Sequence, residues 1–202
     1  YIGTGNIIAQ RYNYNSDGRV TRVTDVVIED SHEEVLFDCF YKYGLSNDLV
    51  IEDKYTTCMA TLNNKGYLST AYYERSDFTS EISYTYDLVG CLLSDLEVYD
   101  SEETNRSMYT WSGGNLVEIV NISEDTIVGR FYISYNNTSM DMVNLDLTMA
   151  VTGVVGDRFI YAGSERYCGD GLCGKKSRNL ITGWVFEGFF GNTIECSLKW
   201  KY

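Results

Sequence analysis

The chain has 202 residues, with 16 Lys plus Arg against 29 Asp plus Glu and a formal net charge of −13. That balance excludes a nucleic-acid binder, which needs a basic footprint to neutralise phosphates, and it disfavours electrostatic docking on an anionic leaflet. A hydrophobic fraction of 44% with 22% charged residues marks a globular chain rather than a disordered one.

The length suits one domain, residues 1–202, and no linker-like stretch divides it. No apolar run approaches the ~18 residues of a spanning helix. Eighteen Tyr and eight Phe, together with many Val, Ile and Thr, favour strands. Proline is absent, so Gly, Asn and Asp must make the turns.

In chain order, the first signal is Tyr14-Asn15-Ser16-Asp17-Gly18-Arg19-Val20, an aromatic strand end, a polar turn and an apolar restart. Related turns recur around Gly44, Gly66, Gly90 and Gly114, at steps of 22 to 26 residues. That spacing holds two strands and their turns, so each repeat reads as one hairpin. Alternation supports this: Ile82, Tyr84 and Tyr86 oppose Ser83, Thr85 and Asp87, and Phe131, Ile133 and Tyr135 oppose Arg130, Tyr132 and Ser134. Ser31-His32-Glu33-Glu34 spells a helix capping box, but Val35, Phe37, Cys39, Tyr41 and Tyr43 alternate, and the repeat register calls for a strand.

The repeat fades after Met140. Residues 145–155 suit one short helix, and Thr182 to Tyr202 reads as two strands around Gly188 to Asn192. The expectation is an all-β, antiparallel meander of roughly twelve to fourteen strands, curled into a barrel-like or open curved sheet. Asp95 with Glu97, and Glu52 with Lys54, read as charges on outward strand faces, which argues against a membrane-spanning barrel.

Several motifs resemble chemistry. Gly169-Asp170-Gly171-Leu172-Cys173-Gly174-Lys175-Lys176 nearly spells a phosphate loop, but Lys176 takes the Ser/Thr position and no α/β alternation surrounds it, so a tight loop is the better reading. Asn13, Asn15, Asp17 and Gly18 fit part of a calcium loop, yet Thr24 stands where a bidentate Glu is required. The six cysteines contain no Cys-x-x-Cys, and the one histidine, His32, lies in a polar run that reads as an exposed turn. No metal, cofactor or catalytic residue is therefore assigned.

Cys168 and Cys173 are the disulfide candidate, being near in sequence, while Cys39, Cys58, Cys91 and Cys196 suit a core. Asn105, Asn121 and Asn136 begin glycosylation sequons, which matter only in a eukaryotic secretory route. Tyr109, Trp111, Trp184, Trp200 and Tyr202 are the candidate ligand-binding residues, as a stacking platform for a glycan or peptide.

Residues 12–23, Tyr-Asn-Tyr-Asn-Ser-Asp-Gly-Arg-Val-Thr-Arg-Val, resemble the Tyr-Asp repeats of bacterial surface proteins. Together with Gly174-Lys175-Lys176-Ser177-Arg178-Asn179-Leu180 and the ending Leu198-Lys199-Trp200-Lys201-Tyr202, the chain is similar to a family of unknown function with a porin-like fold, among predicted secreted lipoproteins of Gram-negative gut anaerobes. In that family a Pro usually follows the Gly-Lys-x-Ser-x-Asn-Leu stretch, where this chain has Ile181. The resemblance implies a periplasmic or outer-surface location, with a lipid anchor upstream of Tyr1, and it transfers no catalytic residue. Three functions follow: a non-enzymatic binding or scaffold protein with a glycan or protein partner, a glycan- or peptide-directed hydrolase using Asp or Glu, or a carrier of a hydrophobic ligand.

Overall fold

The structure, a computed structural model, describes residues 7–29, 32–54, 56–74, 79–100, 103–139, 171–188 and 191–197. They form one antiparallel sheet of thirteen strands in sequence order. The strands are β1 (Ile7–Tyr14), β2 (Val20–Glu29), β3 (His32–Tyr43), β4 (Asp48–Glu52), β5 (Thr57–Leu62), β6 (Leu68–Glu74), β7 (Thr79–Tyr86), β8 (Leu92–Tyr99), β9 (Glu103–Ser112), β10 (Asn115–Ser123), β11 (Thr126–Ser139), β12 (Asn179–Gly188) and β13 (Thr193–Ser197). β1 and β13 do not pair, so the curved sheet stays open. No helix of the described residues is long and apolar enough to cross a membrane. The helix expected near 145–155 lies outside the described residues, and the capping-box segment is indeed a strand, with His32 exposed at its start.

One rim of the sheet is built from a repeated turn. At Asn15, Asn63 and Asp87 the backbone N–H donates to the carbonyl four residues on (Arg19, Tyr67, Cys91), and the Gly in the fourth position has positive φ. The side-chain oxygen of the first residue accepts from N–H groups inside its own turn, at 2.7 to 3.1 Å. Asn and Asp therefore lead these turns because they carry the acceptor that the tight backbone needs.

Just after these turns the ladder carries a bulge. Thr21, Ser69, Leu93, Val117 and Thr182 are the extra residues, by the register breaks in β1–β2, β5–β6, β7–β8, β9–β10 and β11–β12. A bulge reverses the facing of every residue beyond it. Buried residues accordingly fall three apart there, not two: Val20 and Val23, Leu68 and Ala71, Leu92 and Asp95, Leu116 and Ile119, Ile181 and Trp184.

The bulge at Leu93 overturns one expectation. Strict alternation would send Leu92, Leu96 and Val98 inward, with Asp95 and Glu97 outward. Instead Asp95 and Glu97 are buried, at 8% and 5% exposure. They thus carry no argument about the outer face. Lys54 lies in the β4–β5 connection rather than on a strand. The outer face holds ion pairs of its own: Arg22–Asp38, Arg130–Glu118 and Lys42–Glu52.

The inner face is one continuous core from Val20 to Trp184, with Leu49, Ile51, Leu68, Ile82, Leu116 and Phe131 almost fully buried. Residues 171–179 run across the turn-bearing rim as a strap. Leu68 N–H donates to Leu172 C=O (2.7 Å), Lys175 N–H to Gly90 C=O (2.8 Å) and Arg178 N–H to Gly114 C=O (2.8 Å). Fully buried Ser177 accepts from Leu116 N–H through Oγ (3.0 Å) and also pairs with the Tyr135 hydroxyl (3.0 Å). Asn179 and Asn115 bond reciprocally, at 2.8 and 3.0 Å. The described part of the near-phosphate-loop, residues 171–176, is thus part of an end cap. Ile181, fully buried, already lies inside β12.

Candidate functional site

The apolar floor of the inner face lies at the strap. Toward the opposite rim, on β7 to β10, it turns polar. Tyr84 pairs with Asp95, Asp95 with Ser107, Ser107 with Asn121, Asn121 with Gly129 and Gly129 with Gly188, which sets them in one row across β7–β12. Glu97 and Ser80 lie beyond this row, farther from the strap, and are also buried. Adjacent strands stand ~4.8 Å apart, so Asp95 and Asn121 are about 10 Å apart at their α-carbons, with Ser107 between them.

The two carboxyls have neutral hydrogen-bond partners. Asp95 accepts from the Tyr109 hydroxyl and from Ser107, and Glu97 accepts from Ser80 Oγ at 2.5 Å. Neither forms an ion pair among the described residues. Burial pushes the Asp95 carboxyl up to about 6, against the opposing pull of Tyr109 and Ser107. Glu97 is also raised, chiefly by burial, with the Asp95 charge adding to it. Tyr109 in turn is held well above the usual tyrosine range by burial and by the neighbouring Asp95 charge.

Asn121 completes the patch. It is 7% exposed. Its neighbour Gly129 leaves room for an aromatic lid: a β-carbon there would stand 2.5 Å from the Phe186 ring.

The expected aromatic platform is spread along this face. Tyr109 is bound to Asp95, and Trp111 Nε1 donates to Leu92 C=O at 2.8 Å. Trp184 is buried in the core edge-on to Phe131, with ring centroids 5.9 Å apart. Trp200 and Tyr202 lie outside the described residues. Cys173 is disulfide-bonded, while Cys168, its expected partner, also lies outside them. Cys39, Cys58 and Cys91 carry thiols.

Asp95, Glu97, Ser80, Ser107 and Asn121 were not among the residues expected to form a site. Their signal in the sequence is the three-residue spacing that follows each turn, which puts Asp95 in phase with Leu92.

No protein-family model and no curated protein sequence matches the chain. Among solved structures it is similar to a porin-like protein from Bacteroides uniformis, with a TM-score of 0.63 and 17% identity. The match covers 91% of this chain and 73% of that one, so the two share a porin-like fold.

Proposed function

We propose that the chain is a non-enzymatic binding or scaffold protein of the Gram-negative envelope, held outside the cytoplasm by a lipid anchor upstream of Tyr1. In this reading its ligand face is the inner face of the sheet. The observation that carries it is the set of polar and acidic residues buried on that face, Ser80, Asp95, Glu97 and Asn121. The ion pairs on the outer face support a sheet bathed in water rather than lipid, since a charge near the bilayer midplane costs ~2–4 kcal/mol. The porin-like likeness supports an envelope location.

A screen of glycan fragments and short peptides by thermal shift, on the wild type and on Asn121→Leu, tests the binding reading. A binder should raise the melting temperature of the wild type alone. Equal shifts in both proteins would move the ligand off the inner face. Fractionation of cells expressing the full-length precursor tests the envelope location.

Two carboxyls raised together favour glycan hydrolysis as a second reading. Their placement favours binding over hydrolysis. Asp95 and Glu97 stand two residues apart on one strand and meet a guest from the same side, whereas glycosidase carboxyls flank the scissile bond. Product release from the same glycans, abolished by Asp95→Asn, would reverse this preference.

A further inference from the structure

Two turns of the strap-bearing rim carry apolar side chains where a turn calls for polar ones. Ser16-Asp17 and Asn64-Lys65 fill the central positions of the β1–β2 and β5–β6 turns, as water-facing turns require. The β7–β8 turn has the same backbone bonds, yet it carries Leu88-Val89 there. Leu88 is 97% exposed and Val89 58%, and Leu45, in the β3–β4 turn of the same rim, is fully exposed. None of the three joins the core, so packing does not account for them.

Cations surround these tips. Lys65 Nζ donates to the Leu88 carbonyl at 2.6 Å, and the Lys175 backbone N–H donates to Gly90 C=O in the same turn. Arg178 lies along the next turn, since a β-carbon on Gly114 would stand 3.4 Å from its Cβ. All three are exposed, and none forms an ion pair among the described residues. Arg19 and Lys176 add to this rim, against Asp17, Asp48 and Asp87, the last of which accepts from the Gly90 and Cys91 N–H groups. The opposite rim is the reverse: Asp53, Glu74, Asp100, Glu124 and Asp125 crowd its turns and strand ends, with Lys54 among them. An eight-residue strand such as β7 separates the rims by ~26 Å, about three Debye lengths at physiological salt. The net charge of −13 therefore does not describe what a surface close to the strap rim would meet.

We infer that the strap rim docks on an anionic bilayer surface, with Leu45, Leu88 and Val89 dipping among the headgroups and Lys65, Lys175 and Arg178 meeting the phosphates. Such contacts gain from buried apolar area and from attraction to anionic lipid together, and this rim supplies both. Leu45 and Leu88 sit on turns four strand spacings apart, ~19 Å, too far to fill one pocket of a protein partner, whereas a lipid surface takes in separate tips. A soluble polyanion would use the cations and leave the leucines in water. The sheet itself stays outside the bilayer, and its inner face remains free.

The test is flotation of the full 202-residue chain with phosphatidylethanolamine vesicles containing about a quarter phosphatidylglycerol, and with phosphatidylcholine vesicles. Affinity should be at least tenfold higher for the anionic vesicles and fall at least tenfold between ~0.1 and ~0.5 M salt. The double variant Leu88→Ser, Val89→Ser should lose at least tenfold, as should the triple variant Lys65→Gln, Lys175→Gln, Arg178→Gln. Lys54→Gln, on the opposite rim, should bind as the wild type does. Thermal melts of the variants should match the wild type, because every altered side chain is exposed. No binding to anionic vesicles, or equal binding to phosphatidylcholine, would overturn the inference. So would a Leu88→Ser, Val89→Ser protein that floats as well as the wild type while both bind heparin fragments, which would make the rim a site for polyanions at large.

Discussion

Gly174 lies so close to Gly90 that a β-carbon on it would stand 2.5 Å from the Gly90 carbonyl oxygen, and 2.9 Å from the Tyr86 ring. The residue also has φ +98°. Steric room and backbone conformation thus both call for glycine at the point where the strap meets the β7–β8 turn. Gly174→Ala should cost about 2–4 kcal/mol through overpacking and left-handed strain together. Gly113→Ala, at φ +59° with open space around it, should cost only ~1 kcal/mol. Urea denaturation of the two variants checks the difference, and equal midpoints would refute it.

Ser177→Ala removes the Oγ that accepts from Leu116 N–H and pairs with Tyr135, in a fully buried place. The orphaned Leu116 amide should cost about 1–3 kcal/mol. Hydrogen exchange should quicken at Leu116 first, ahead of the outer strands.

The Asp95 carboxyl stands at about 6 in the folded protein, against 3.8 in the unfolded chain. Between those values the folded state holds a proton that the unfolded state has released, so stability declines as pH rises through this window and levels off above it. Relative to wild type, Asp95→Asn should gain up to about 3 kcal/mol at pH 7 and little at pH 3.5. Paired carboxylates such as Asp38 are lowered by their arginines and slope the opposite way, so the quantity to measure is the difference between the variant and wild type. A difference that does not change with pH would show that Asp95 is not perturbed.

Tyr109→Phe takes away the foremost hydrogen bond holding the Asp95 carboxyl down. The carboxyl should titrate above about 6, extending the window of declining stability upward. Carbon-detected NMR titration of the Asp95 carboxyl reads this directly.

The thiols offer a chemical check. Cys39 and Cys58 are 2% and 0% exposed, and burial lifts the Cys58 thiol to about 11. Cys91 is half-buried. In the native protein Cys91 should react with a small thiol reagent well before Cys39 or Cys58, and the latter two only on unfolding. A single bridge from Cys173 leaves four thiols in the denatured, unreduced chain of six cysteines.

The hairpin plan was legible because turn chemistry and period two are local. Gly18, Gly66, Gly90 and Gly114 each have the positive φ that their turns demand. At Gly44 the left-handed position passes instead to Asn47, at φ 63°. The site was less legible for a physical reason. Facing along a strand is set by counting from its turn, and one extra residue at Leu93 exchanges Leu96 and Val98 for Asp95 and Glu97. Alternating hydrophobicity points the wrong way there, since the sequence looks better with the leucines inside. The strap was equally hidden, because its partners Gly90, Leu116 and Asn115 lie some sixty to eighty-five residues upstream.

A meander whose strands pair only with their sequence neighbours resembles a zipper, able to open one hairpin at a time from either end. The strap changes that mechanics. It joins the start of β12 to the starts of β6 and β10 and to the turn before β8, like a drawstring through alternate hems. Peeling away the C-terminal hairpin would pull this string out of the middle of the sheet, so loosening at one edge is felt several strands away. Cooperativity in so elongated a sheet would then come from a short irregular segment rather than from the strands themselves.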